Sequence, residues 1–388
     1  MNELVTPAEA TGRILEDLPA ARIEDVPLVN ALGRVLRTAV TADRPLPPYR
    51  RATMDGIAFR GAAETWKIAG LHAAGDPPPR ALAAGEAWEI MTGAVVPEDC
   101  DTLVPYEEVS IEDGMATVRG ESRPGQFIHE PGSDAAEHDV LIAAGSVLGP
   151  VEVAIAASVG LTTLTVSKWP VITLLTTGDE AVAVDAKPEP WQIRRSNGPM
   201  LEAMLRRAGY PDVRQHHVPD DVRLLELAVD AAFATSDVVL LCGGISKGKR
   251  DHVRGVIEDR LGLPAFHGVV QRPGKPLAFW NGPPPVFALP GNPVSVLATF
   301  IRYVRPALAK MEGSRPTPPL LLPLAETITS LPKLTWLLPA RLTGNGALPQ
   351  PPQNSGDFVS IAGATHLLEI PSGGATLPAG HLVSAHPF

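Results

Sequence analysis

Three apolar runs constrain this chain more than any other feature. Val171-Ile172-Thr173-Leu174-Leu175, Asp237-Val238-Val239-Leu240-Leu241 and Val286-Phe287-Ala288-Leu289 show no alternation between apolar and polar residues. A strand with one wet face alternates; a strand covered on both faces reads as continuous. Helical spacing follows each run. Asn197 and Pro199 open a helix carrying Met200, Leu201, Met204 and Leu205, closed by Gly209. Val213–Val218 reads as a further strand, after which Asp220 can cap a helix with Leu224, Leu225, Ala228 and Ala232. Two more helices carry Val253, Val256, Ile257 and Leu261, then Val294, Leu297, Phe300, Ile301 and Val304. Strands alternating with helices imply right-handed crossovers and a mostly parallel sheet. The centre of the chain is therefore an α/β core.

The flanking regions have a different texture. Thr6, Pro7 and Glu9 form a capping box ahead of a helix whose apolar face is Ile14, Leu15 and Leu18. From Val35 to about Val118 short apolar alternations are separated by turns, and Ser110–Val118 reads as a hairpin pivoting on Asp113-Gly114. Residues 121–134 read as loop, and Pro150–Ser158 as a short helix that Gly160 terminates. Beyond Pro316 the helical spacing stops. Leu320–Leu322, Leu334–Leu338, Phe358–Ile361 and Leu367–Ile370 read as strands of a small β unit. A chain of 388 residues is long enough for two to four such units. Its 41 prolines and 35 glycines read as turns between short elements, because aliphatic residues remain plentiful.

Composition excludes several classes. With 33 Lys and Arg against 43 Asp and Glu, the net charge of −10 argues against general nucleic-acid binding. A local anion site remains compatible with it. Two cysteines cannot build a disulfide framework, and the opening Met1–Val5 has neither the charge nor the apolar run of a signal peptide, so the cytoplasm is expected. No run of about 18 apolar residues suggests a membrane span. The ten histidines lack metal-ligand spacing; His216 and His217 fall on opposite faces of one strand and read as structural. Neither cysteine has a CxxC partner, and no nucleophile elbow or Walker motif is present.

In an open α/β sheet, ligands bind beyond the carboxyl ends of the strands. Three segments place small polar residues there: Thr176-Thr177-Gly178-Asp179-Glu180, Cys242 through Asp251 (including Gly243, Gly244 and Ser246), and Pro290-Gly291-Asn292-Pro293. All lead towards helices, so unpaired N–H groups converge on one crevice suited to an oxyanion. Arg272-Pro273-Gly274-Lys275-Pro276 adds two cations. Glu180, Asp220 and Asp251 stand beside this anion site, an unfavourable arrangement unless a hard cation such as Mg²⁺ bridges them to the ligand. Taken singly, Gly243-Gly244 is an ordinary turn, Asp220 and Asp251 are ordinary helix caps, and Lys275 is a surface charge. It is their arrival at equivalent strand ends that points to a site.

These residues resemble a known family over nearly the whole chain. Pro47-Pro48, Thr53-Met54-Asp55-Gly56-Ile57-Ala58, Met91-Thr92-Gly93-Ala94 and Gly132-Ser133-Asp134 occur in the order of the MoeA / gephyrin E-domain family. Thr177–Glu180, Ser196-Asn197, Asp220-Asp221, Gly243–Ser246, Pro273–Pro276 and Pro290–Ser295 complete the series. The resemblance implies a molybdopterin molybdenumtransferase, which inserts molybdate into adenylylated molybdopterin and releases AMP with Mg²⁺. It implies a multidomain α/β plus β chain acting as a homodimer, with transient contacts to the adenylyltransferase or to acceptor molybdoenzymes. The implied division is a discontinuous domain I (1–44 and 138–169), an inserted β-rich domain II (45–137), a MoaB/MogA-like three-layer α/β domain III (170–315) and a C-terminal β domain IV (316–388). The cleft would lie between domain III of one subunit and domain II of its partner. Carried over by position, Asp55, Asp134, Glu180 and Asp251 are the expected catalytic residues, with Glu180 and Asp251 as Mg²⁺ ligands. Thr92, Asp220, Gly243, Gly244, Ser246, Arg272, Lys275, Pro290, Gly291, Asn292 and Ser295 are the expected substrate contacts.

The chain departs from the family pattern at Tyr49-Arg50-Arg51-Ala52-Thr53, where an acidic position is Arg50 and a hydroxyl is Ala52. His129-Glu130-Pro131 replaces an arginine-rich run, and Arg194-Arg195 precedes Ser196-Asn197. Either anion contacts have migrated to new positions, or the chain binds molybdopterin or finished cofactor as a carrier without the transfer reaction. A scaffold role like that of the neuronal relative ranks last, because nothing resembles a receptor-binding extension.

Overall fold

The computed structural model describes residues 4–245 and 252–388. Ser246 and Asp251 lie outside the described residues, as do Lys247–Arg250 between them.

Six strands form the central sheet: β1 (Ile172–Thr177), β2 (Val213–Val218), β3 (Val238–Cys242), β4 (Phe266–His267), β5 (Ala278–Trp280) and β6 (Val286–Leu289). Their spatial order is β2-β1-β3-β6-β5-β4. The pairs β1–β2, β1–β3 and β3–β6 are parallel, while β5 and β4 add an antiparallel edge. Chain direction across the sheet reverses between β1 and β3, which leaves a crevice beyond their carboxyl ends.

Helices cover both faces, which is why the strands read as unbroken apolar runs. Alternate residues of β3 divide between two cores. Val238 and Leu240 pack with α1 (Pro7–Leu15), α3 (Asn197–Arg207) and α6 (Pro293–Thr299), numbering Pro150–Ser158 as α2. Val239 and Leu241 pack with α4 (Val222–Thr235) and α5 (Val253–Leu261) on the other face. The expected α1 capping box is present: Thr6 Oγ1 accepts from the Glu9 amide at 3.2 Å, and Glu9 Oε2 accepts from the Thr6 amide at 2.7 Å. After α6 the helix widens into a π-turn over Phe300–Val304 before α7 (Arg305–Met311). Pro306 accounts for this, since it lacks an N–H and its ring would strike the Arg302 carbonyl in a regular helix.

Two six-stranded sheets flank this core. The N-terminal one contains Gly56–Phe59, Thr65–His72, Glu86–Ile90, Thr102–Pro105 and the expected hairpin of Val109–Glu112 with Met115–Val118. Asp113 (φ 46°) and Gly114 (φ 74°) make its turn. The C-terminal sheet is built from Leu320–Pro323, Thr335–Thr343, Gly346–Pro349, His366–Ile370 and Leu382–Pro387, and one edge strand comes from elsewhere in the chain. Gln271–Arg272, in the connection from β4 to β5, pairs in parallel with Thr335 and Trp336.

Four expectations need correction. Asp221 caps α4, accepting from the Leu224 amide at 2.9 Å, and Asp220 is left free for the loop. The segment at 121–134 contains a short strand, Ile128–His129, paired with Arg51–Ala52. The loop after β1 makes a small parallel pair, Ala181–Val182 with Ile193–Arg194, before it reaches α3. Phe358–Ile361 is a turn; only Ile361 is buried, while Phe358 and Val359 are exposed.

Candidate active site

Glycine geometry brings the ends of β1 and β3 together. Gly243 has φ +96°, and a Cβ there would stand 2.9 Å from Thr177 Oγ1. A Cβ on Gly244 (φ +63°) would meet Val253 Cγ2 at 2.6 Å. A Cβ on Gly291, after β6, would stand 3.7 Å from Gly243 Cα. Three strand-end loops therefore meet as bare backbone, the arrangement that lets a phosphate approach N–H groups closely. Asn197, at the start of α3, donates from Nδ2 to the Gly291 carbonyl at 2.6 Å. Among the described residues, its Oδ1 and the Thr177 hydroxyl are buried without a partner. Buried polar atoms of this kind are costly unless a ligand or water satisfies them.

This cradle floors a cleft of about 1640 Å³. It is lined by the expected Glu180, Asp220, Gly243, Gly244, Arg272, Lys275, Pro290, Gly291, Asn292 and Ser295, and also by Arg195. Arg272 and Lys275 are exposed, and among the described residues neither they nor Arg195 forms an ion pair with a carboxylate. Asp179 and Asp220 hold the two adjoining loops together, the Asp220 amide donating to Asp179 Oδ1 at 3.0 Å. Behind them His217 Nδ1 lies 2.9 Å from Thr176 Oγ1. Burial and then the neighbouring Arg195 guanidinium hold His217 below its usual value, so the ring is neutral at pH 7. Cys242 also lines the cleft, but burial pushes its thiol up to about 12, which disqualifies it as a thiolate.

Among the described residues, no three His, Cys, Asp or Glu side chains gather into a metal cage. Glu180 and Asp220 nevertheless both line the cleft. Magnesium binds through one or two carboxylates together with phosphate oxygens, so this open donor set fits it.

The remaining expected residues lie elsewhere in the chain. Asp55, Thr92 and Asp134 are exposed on the N-terminal β-rich region and are not among the residues lining the cleft. Thr92 donates to Asp55 Oδ1 twice, from its amide at 2.6 Å and from its hydroxyl at 2.7 Å. Those two bonds hold the Asp55 carboxyl below the usual carboxylate range. Asp134 Oδ1 lies 3.1 Å from His129 Nε2, and His129 Nδ1 lies 3.1 Å from Arg51. Arg50 is engaged internally: it donates to the Pro97 and Cys100 carbonyls and pairs with Glu130 at 3.2 Å. The arginine at this unusual position braces the fold. Arg195 does line the cleft, and its place beside the familiar Ser196-Asn197 pair was the one signal for it in the sequence.

A glycine cradle with cations and carboxylates at a sheet reversal places a candidate ligand cleft on a doubly wound α/β core. Comparison with known proteins identifies the group. The N-terminal region of MoeA (domains I and II) matches residues 5–160, a probable molybdopterin binding domain matches 173–310, and the MoeA C-terminal region (domain IV) matches 322–388. The chain belongs to the MoeA family of molybdenum cofactor biosynthesis, whose members are transferases. A molybdopterin molybdenumtransferase of Synechococcus elongatus is 36% identical, covering 94% of each chain. One from Synechocystis is 34% identical over 90% of this chain and 91% of its own. The crystal structure of the MoeA protein of Pyrococcus horikoshii OT3 superposes over 100% of both chains with a TM-score of 0.85 at 26% identity. No helix among the described residues is long and apolar enough to cross a membrane.

Proposed function

We propose that this protein inserts molybdate into adenylylated molybdopterin and releases AMP, with Mg²⁺, as a cytoplasmic homodimer. The observation that carries this reading is the meeting of a bare-backbone cradle, three cations without an ion pair among the described residues, and two carboxylates in one cleft. Glu180, with Asp251 by family position and Asp220 beside it in the cleft, would hold the magnesium ion, which when bound supplies positive charge between carboxylate and phosphate oxygens. Amides of the glycine loops, together with Arg195, Arg272 and Lys275, offset the charge that builds on phosphorus. Attack by an oxygen of molybdate, or of a water it activates, forms a new P–O bond and breaks the pyrophosphate bridge. With attack at the pterin-side phosphorus, AMP leaves with the bridging oxygen and the electron pair of the broken P–O bond, and the two dithiolene thiols displace one oxygen of molybdate, which departs with their protons as water. Ser246 and Asp251 belong to this reading by family position.

Asp55, Thr92 and Asp134 enter through a second copy of the chain, since one copy keeps them away from its own cleft. Exposed Val29, Leu32, Val147 and Val151, around the junction of α2 with the turn at Leu28–Asn30, offer an apolar face for that pairing. In this reading residues 1–44 with 138–169, 45–137, 170–315 and 316–388 are the four domains, with transient partners at the adenylyltransferase and acceptor steps.

The test is AMP release from adenylylated molybdopterin in the presence of molybdate and Mg²⁺. Stoichiometric, molybdate-dependent AMP supports transfer. Tight binding with no AMP replaces this reading with a carrier.

A further inference from the structure

The C-terminal part of the cleft wall has no role in the chemistry above, and its composition is unlike the floor. Leu331, Leu334 and Trp336 are half-buried there, and Phe358 is 45% exposed. An exposed phenylalanine is unremarkable on a loose loop; this loop is tied down. Asp357 accepts from the Gln353 amide at 3.1 Å, from the Ser360 amide at 3.3 Å and from the Ser360 hydroxyl at 2.7 Å. Asn354 Oδ1 accepts from the Gly356 amide at 2.9 Å.

The loop is also fastened to the cradle. Asn292 Nδ2 donates to Ser355 Oγ at 2.6 Å, and the Val294 amide donates to the Ser355 carbonyl at 3.0 Å. The ladder between Gln271-Arg272 and Thr335-Trp336 joins Trp336 to the cleft-lining Arg272. The aromatic wall thus stands at a fixed place relative to the phosphate cradle. Preorganised aromatic surface loses little entropy on binding, and every flat heteroaromatic ring presents a face for it.

We infer that Phe358 and Trp336 form a ring-binding subsite, which holds a planar heteroaromatic group of a ligand whose phosphate occupies the glycine cradle. The inference rests on the proposed function for the ligand's identity: adenylylated molybdopterin carries two such rings, adenine and pterin. The subsite takes one of them and supplies binding that the polar floor cannot.

Equilibrium binding tests this apart from turnover. Wild type, Phe358→Ala and Phe358→Tyr are titrated with AMP, molybdopterin and ribose 5-phosphate, the last having a phosphate and no ring. Phe358→Ala should weaken one ring-bearing ligand about tenfold, Phe358→Tyr should restore it, and ribose 5-phosphate should bind all three alike. Loss confined to AMP assigns the adenine; loss confined to molybdopterin assigns the pterin. Unchanged affinity for both ring ligands overturns the subsite. Equal loss of ribose 5-phosphate also overturns it, since the loop would then act through the fold. Should AMP release fail while the ring dependence persists, the transfer reading falls and the subsite stands.

Discussion

Thr177 and Gly243 touch at the point where the sheet reverses. Nothing larger than hydrogen fits on Gly243, because a Cβ would lie 2.9 Å from the Thr177 hydroxyl and 3.0 Å from its carbonyl oxygen. The backbone there is also left-handed, at φ +96°. Gly243→Ala should therefore cost about 1–3 kcal/mol in strain and push the two loops apart. AMP release should drop at least tenfold. Gly255→Ala is the matched control, since it stands in α5 with open space around it and should not lower Tm. Wild-type turnover in the Gly243 variant would show that the close approach is dispensable.

Separation of Asp55 from Glu180 within one chain leads to a second expectation. Asp55→Asn and Glu180→Gln should each abolish AMP release as homodimers. Co-expressed with different tags and purified as mixed dimers, the pair should regain a measurable share of activity, because one cleft then receives both intact side chains. Mixed dimers as inactive as either parent would place all the chemistry in one chain.

Glu312, just beyond α7, gives a pH dependence of stability. Burial lifts its carboxyl to about 7 in the folded protein, against 4.5 ordinarily. Tyr210 donates to Oε2 at 3.3 Å, while Oε1 is buried and, among the described residues, unpaired. A raised carboxyl means the folded chain holds the proton more tightly than the unfolded one. Its contribution is full below pH 4.5 and is lost as pH rises through 7. Glu312→Gln should remove that part of the decline, so the Tm gap between variant and wild type should widen in the variant's favour from pH 5 to pH 8. A gap that stays constant across this range would remove Glu312 from the account.

Ser355 tests the fastening between the C-terminal loop and the cradle. Ser355→Ala keeps the Val294 amide bond and deletes only the partner of Asn292 Nδ2. One exposed hydrogen bond is worth about 1 kcal/mol, so Tm should change little. If the loop is held for binding, KM should rise several-fold with kcat nearly intact. A fall in kcat alone would point to the cradle instead.

The sequence revealed what local pattern can encode. β3 is legible because Val238 through Cys242 is buried on both faces, and α1 because Thr6 and Glu9 cap each other. The strand-end loops followed from where those elements stop. Long-range pairing left no such trace. Gln271-Arg272 is only two residues long and joins a sheet whose next strand begins at Thr335, so no periodicity announces it. Phe358-Val359-Ser360-Ile361 is largely apolar and β-branched like a strand, yet the Asp357 and Ser360 hydrogen bonds curl it into a turn and leave its aromatic outside the core. Asp220 and Asp221 are adjacent candidates for one cap; only Asp221 reaches the Leu224 amide, and Asp220 is freed for the cleft. Asp55, Thr92 and Asp134 were legible as motifs, but their placement depends on how chains pair, which a single sequence does not spell out.

The strand at Gln271-Arg272 has a practical consequence for anyone building chimaeras from relatives of this protein. A cassette running from residue 316 to the end would import a foreign sheet while leaving behind the two residues that zip onto its margin. The graft would have to splice against a host segment tuned to a different neighbour. Transplants that carry 271–272 along with the terminal sheet should dock; those cut at the obvious seam should leave one cleft-lining arginine without its splint.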